Sequence, residues 1–164
     1  MNTSTNDRAC DIHDMLKALR SAIHRCRTAI VTATPEQFSR IEAYGVPLQL
    51  DAIDYVQFIL ERLPDDSQFV HVTADTIERD LYDIAISPQY AGAMVYNLDI
   101  ALAKLGVEQR GYFWRNMRER FPHHKPLVMV LPEAAASLLI DESELEYWRQ
   151  SGRLASLTTM EELV

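Results

Sequence analysis

The side chains most able to do chemistry in this sequence are carboxylates that follow short apolar runs. Asp51, Asp75, Asp99 and Glu133 each stand where such a run gives way to a helical pattern. Gathered at one sheet edge, they could hold a divalent cation against a phosphate substrate, with Asp99 following Met94–Leu98 as a magnesium-holding strand-end aspartate would. Their commoner use is capping, in which the carboxylate accepts from the first free N–H groups of a helix.

Other chemistries lack their residues. A phosphate loop needs glycines for an anion nest and a lysine for the terminal phosphates. The run after the first strand pattern is instead Thr32-Ala33-Thr34-Pro35-Glu36-Gln37, with no glycine, no lysine and an acid that repels phosphate. No GxGxxG, HExxH or CxxC is present, and no serine or cysteine sits in a nucleophile elbow. The adjacent His123 and His124 read as a solvated turn, and His71 as a hydrogen-bonded strand residue. Cys10 and Cys26, sixteen residues apart on one predicted helix, cannot bridge and read as free thiols of a reducing compartment. The expectation is no catalytic residue set, no metal and no cofactor.

One stretch is basic against an acidic background. Arg110, Arg115, Arg118, Arg120 and Lys125 are interleaved with Tyr112, Phe113 and Trp114, and only Glu119 opposes them. Cations beside aromatics can grip phosphates and stack bases, so Arg110, Trp114, Arg115, Arg118, Arg120 and Lys125 are candidates for a partner or phosphate patch. Alternatively, Phe113, Trp114, Met117 and Phe121 pack on a sheet while the arginines reach solvent or pair with acids.

These residues must be carried by alternating strands and helices. Apolar residues at helical spacing mark Asp11–Arg27, with Asp11 as N-cap. A strand from Ala29 to Thr34 precedes a helix over Pro35–Tyr44 that Gly45 would cap. Further strands are predicted at 46–50, 68–72, 93–98 and 126–131. Helices are predicted through Val56–Leu63, Asp75–Ile86, Tyr112–Arg120, Glu133–Ile140 and Glu144–Gln150. Such alternation implies βαβ units, and hence an α/β three-layer sandwich with a mostly parallel sheet of about five strands, Rossmann-like or P-loop-NTPase-like. Residues 1–153 form one domain in this reading, and 154–164 a tail or short helix.

Composition agrees with one globular domain. The chain has 164 residues, 48% hydrophobic and 24% charged, with a net charge of −8. That charge argues against a surface broadly adapted to nucleic acid or anionic membrane. The polar N-terminus lacks the apolar core of a signal peptide, and no run approaches the ~18 apolar residues of a membrane helix. A cytoplasmic location is expected.

The segment Asn97–Leu154 carries a resemblance. Its marks are the strand ending near Leu98-Asp99, the run Trp114-Arg115-Asn116-Met117-Arg118, the strand Pro126–Leu131 closing on Pro132-Glu133, and the turn Glu146-Tyr147-Trp148-Arg149-Gln150-Ser151-Gly152-Arg153-Leu154. Together they resemble an N-terminal α/β module of bacterial multidomain proteins with STAND-type NTPase or TPR segments. The front half agrees in outline, through Leu16–Arg20 ahead of the first strand. The resemblance implies a P-loop-like fold, often without an intact phosphate loop, that serves bacterial signalling or anti-phage defence. Trp148, Arg149 and Gly152 match the family turn, which has no known catalytic duty. This chain departs from the family in lacking a fused NTPase or repeat segment, so the implied partner is a larger NTPase, nuclease or repeat protein encoded nearby. Nucleic acid is a less favoured partner, no membrane is implied, and self-association stays open.

Overall fold

A computed structural model describes residues 10–21, 23–65, 71–122 and 125–163. In chain order the elements are α1 (Ile12–Arg20), β1 (Thr28–Ala33), α2 (Pro35–Phe38), a 3-10 turn (Ile41–Tyr44), α3 (Gly45–Leu48), β2 (Asp51–Asp54), α4 (Tyr55–Arg62), α5 (Ala74–Ile86) and β3 (Ala93–Tyr96). They continue with α6 (Leu98–Leu102), α7 (Val107–Glu119), β4 (Leu127–Pro132), α8 (Glu133–Leu139), α9 (Glu142–Gln150), β5 (Leu154–Ser156) and α10 (Met160–Leu163).

The strands form one all-parallel sheet in the order β2-β3-β4-β1-β5. Strands buried on both faces must be apolar at successive positions, which is why β1, β3 and β4 read as near-continuous apolar runs. Alternate residues serve opposite layers. Ile30, Val95, Met129 and Leu154 pack with Ile77, Leu81, Phe113, Trp114 and Trp148 under α4 to α9. Ala29, Val31, Met94, Val130 and Ala155 pack with Ile12, Leu16, Ile41, Tyr44 and Leu48 under α1 to α3. The expected α/β three-layer sandwich is thus present. Among the described residues no helix is long and apolar enough to cross a membrane.

Several elements differ from the sequence reading. The helix predicted to Arg27 ends at Arg20, because the Ser21 hydroxyl donates back to the Ala18 carbonyl (2.8 Å) and its N–H to that of Lys17 (3.2 Å). Ile23 is therefore exposed, and Cys26 is buried at the entry to β1 instead of lying on α1. Val46–Leu50 is not a strand. Pro47 has no ladder donor, and the chain instead turns so that Leu50 N–H reaches the Gly45 carbonyl (2.9 Å). Gly45 does cap the 3-10 turn that ends at Tyr44, its N–H donating to the Glu42 carbonyl, and it also opens α3. A Cβ there would meet the Leu50 carbonyl oxygen at 2.7 Å, and Gln49 takes the left-handed capping conformation at φ 56°.

Of the strand predicted at 68–72, Gln68–Val70 lie outside the described residues; His71 and Val72 are in no strand. The supposed tail from Leu154 enters the sheet as β5, because Leu154 and Ala155 each bury a side chain in one of the two cores.

Candidate functional site

Ligands of open parallel sheets sit beyond the carboxyl ends of the strands, where neighbouring strands send their connections to opposite faces. Here that point lies between β1, which leads to α2 and α3 on one face, and β4, which leads to α8 on the other. The connections there are too short to make a site. Only Thr34 separates β1 from α2 and only Asn97 separates β3 from α6, while β2 and β4 run directly into α4 and α8.

At the exit of β1, Thr34 and Gln37 are already engaged with each other. Thr34 Oγ1 accepts from Gln37 N–H (3.2 Å) and Gln37 Oε1 accepts from Thr34 N–H (2.9 Å), a capping box that uses the donors an anion would need. Pro35 supplies no N–H at all. Gln37 Nε2 then donates to the carbonyl of Leu157 (2.8 Å), and Leu157 N–H donates to that of Thr32 (2.8 Å), so the exit of β5 is fastened over the end of β1.

The four carboxylates do not converge. Asp51 lies at the amino end of β2, opposite the edge where Asp99 follows β3, because β2 starts five residues later than Val46. Asp54, rather than Asp51, caps α4, accepting from Val56 N–H (3.0 Å). Asp75 is exposed in the first turn of α5, and Glu133 is exposed at the start of α8. Asp99 is half-buried in the first turn of α6; one of its oxygens is buried without a hydrogen-bond partner, and burial pushes its carboxyl up. Among the described residues no three His, Cys, Asp or Glu side chains lie together as metal ligands. His123 and His124 lie outside the described residues, and His71 is exposed.

The basic stretch divides along α7. Trp114 is buried, donates through Nε1 to the Leu139 carbonyl (3.0 Å) and meets Trp148 edge to face at 6.2 Å, so it cannot stack a base. Arg110 donates to the Leu105 carbonyl, and Lys125 to those of Ser87 (2.6 Å) and Tyr90. Arg118 pairs with Glu119 and Glu144, both at 3.0 Å, and lies over the Tyr147 ring. Arg115 and Arg120 are exposed, with no ion pair among the described residues. In the last turns of α9 Trp148 is buried and Arg149 pairs with Glu146, and in the turn that follows Gly152 takes φ 71°.

The open concavity with concentrated charge is at the other edge of the sheet. A cavity of about 500 Å³ is lined by His24, Arg25, Cys26, Arg118, Glu119, Arg120, Ser151 and Arg153, where the chain enters β1 and β5 and leaves α7. Arg153 is its buried floor. Its guanidinium donates to the carbonyls of Arg118 (2.9 Å), Cys26 (3.3 Å) and Thr28 (3.4 Å) and to the hydroxyls of Thr28 and Ser151, and it stacks over Trp148. Burial pulls Arg153 below the usual arginine value, although a guanidinium stays charged. Burial, followed by the charge of Arg153, pushes the His24 imidazole down. Burial pushes the Cys26 thiol up, against the opposing pull of Arg153 and Arg25.

Sequence reading centred on the opposite edge and missed His24, Arg25, Cys26 and Arg153 as a group. The available signal was the run His24-Arg25-Cys26-Arg27 immediately ahead of a strand, together with an arginine directly after a glycine turn. No family model matches this chain, and neither a curated protein nor a solved structure matches it.

Proposed function

We propose that this protein is a non-catalytic binding module, an adaptor or regulatory subunit of a cytoplasmic bacterial signalling or defence system, on a P-loop-like fold without its phosphate loop. The observation that carries this reading is the single-residue connection at Thr34. Where a phosphate loop would wrap a nucleotide, the chain passes from β1 to α2 through one residue whose N–H and hydroxyl are both engaged by Gln37.

A partner surface is available on the helical face. Val107 and Leu138, both largely exposed, flank a small cleft between α7 and α8, with the edge of Trp114 at its wall and Arg110, Asp141 and Glu144 around it. Apolar side chains side by side within a polar rim suit a protein partner. The resemblance of the last third of the chain to STAND-associated modules gives that partner its expected class: an NTPase, nuclease or repeat protein.

The test is purification of the tagged chain from its host, alongside an ATP turnover assay. A stoichiometric NTPase, nuclease or repeat protein that is lost in Leu138→Asp, with no ATP turnover by the chain itself, supports the adaptor. Intrinsic ATP hydrolysis that disappears in Asp99→Ala overturns it.

A further inference from the structure

The cavity at the amino edge of the sheet concentrates positive charge; it lies opposite the closed carboxyl edge and touches the helical-face cleft through Glu144, which pairs with Arg118. Its walls come from three places in the chain: Arg25 from the segment before β1, Arg118 and Arg120 from the end of α7, and Arg153 from the turn before β5. Among the described residues these four arginines meet two glutamates, Glu119 in the wall and Glu144 behind Arg118. This excess of positive charge sits on a molecule of net charge −8, so it is a local exception to the protein's field.

The arginines divide the work. Arg118 is neutralised by its two glutamates and serves as wall. Among the described residues Arg153 has no carboxylate partner, and it spends its donors on carbonyls and hydroxyls; by capping the Arg118 carbonyl it answers the partial negative charge of the α7 C-terminus, which would otherwise oppose an anion. Arg25 and Arg120 are then left exposed at the mouth, without an ion pair among the described residues. Each presents a planar fork of donors suited to oxyanions.

We propose that this cavity binds a small phosphorylated ligand, with Arg25 and Arg120 gripping the phosphate oxygens and the buried Arg153 supplying fixed positive charge beneath them. A planar carboxylate satisfies one fork from one side, as Glu144 does for the Nε edge of Arg118. Guanidinia arriving from separate elements suit a tetrahedral group that offers oxygens in several directions. The volume is that of a small-molecule site. Nothing in this inference depends on the adaptor reading.

Calorimetric titration of the full chain with pyrophosphate, and separately with succinate, tests it. Saturable pyrophosphate binding is expected, weakened about tenfold or more by Arg25→Ala or Arg120→Ala, since each removes a charge-assisted pair. Both positions are exposed, so unchanged melting temperatures would show that the fold is intact. Arg115→Ala, an exposed arginine of α7 outside the cavity, should bind as the parent does. Pyrophosphate should also move the ring resonances of His24 and leave those of His71 in place. The proposal is overturned by absence of saturable binding at millimolar pyrophosphate, by equal weakening in Arg115→Ala, or by tighter binding of succinate.

Discussion

Asp99 and Arg153 show how differently one fold can treat two ionisable groups. Asp99 has a buried oxygen without a partner, and burial raises its carboxyl above the ordinary value despite help from the backbone N–H groups of Asp99 and Ile100. A carboxyl raised in the folded state favours folding while it is protonated. That contribution is present below the unfolded value, about 3.9, and is lost as pH rises through the higher folded value. Asp99→Asn should therefore be more stable than the parent at pH 7, by about 1 kcal/mol, and the gain should shrink as the pH falls into the acid range. Urea unfolding at both pH values measures this, and an equal gain at both would refute it. Arg153 is the opposite case, a buried charge whose donors are all used. Arg153→Met strands the carbonyls of Cys26, Thr28 and Arg118 and should cost at least about 2 kcal/mol; Arg153→Lys, with a point charge in place of a fork, should recover only part of that.

At the scale of elements, what could be read from sequence depended on whether a local signal acted alone. β4 and α5 are bounded close to expectation because apolar period, flanking prolines and capping threonine all agree there. Gly45 reads correctly as the cap of the segment ending at Tyr44, but the 2.7 Å approach of the Leu50 oxygen, a further reason for glycine there, is a contact only the folded chain reveals. β5 was hidden for a related cause. Its three residues carry no pattern of their own, and their pairing with β1 at Ile30↔Leu154 is non-local. The site suffered most, since Asp51 faced the wrong edge once β2 had slipped by five residues. The capping box at Thr34 joins these levels, because Gln37 both ends the β1 connection and holds the exit of β5. Gln37→Ala should lower stability by about 1 kcal/mol, as loss of a helix cap does. It should also speed hydrogen exchange at the Leu157 amide, whose bond to Thr32 lies beside the lost tether. Unchanged exchange there would show that the tether is idle.

Considered as a whole molecule, the sheet has its usual binding edge sealed by short connections and its opposite edge opened by the arginine cavity, and β5 takes part in both arrangements. Its exit is fastened over β1 by Gln37, and its entry places Arg153 in the cavity floor. Removing residues 154–164 would strip β1 of a neighbour, leave its edge unpaired, and expose the partners of Leu154, Ala155 and Leu157, all buried. The two leucines alone bring about 2 kcal/mol each, against a total stability of roughly 5–15 kcal/mol for a domain of this kind. That deletion should therefore yield a chain that fails to fold cooperatively or aggregates through β1. Removing only 160–164 takes away α10, whose Met160 and Leu163 are merely half-buried against the core, and should leave a cooperative transition at a modestly lower temperature. Calorimetry on the two truncations separates the cases. A sharp native-like transition in the longer deletion would mean that β5 is an accessory to the sheet, and that Arg153, which the deletion retains, holds its place in the cavity floor without it.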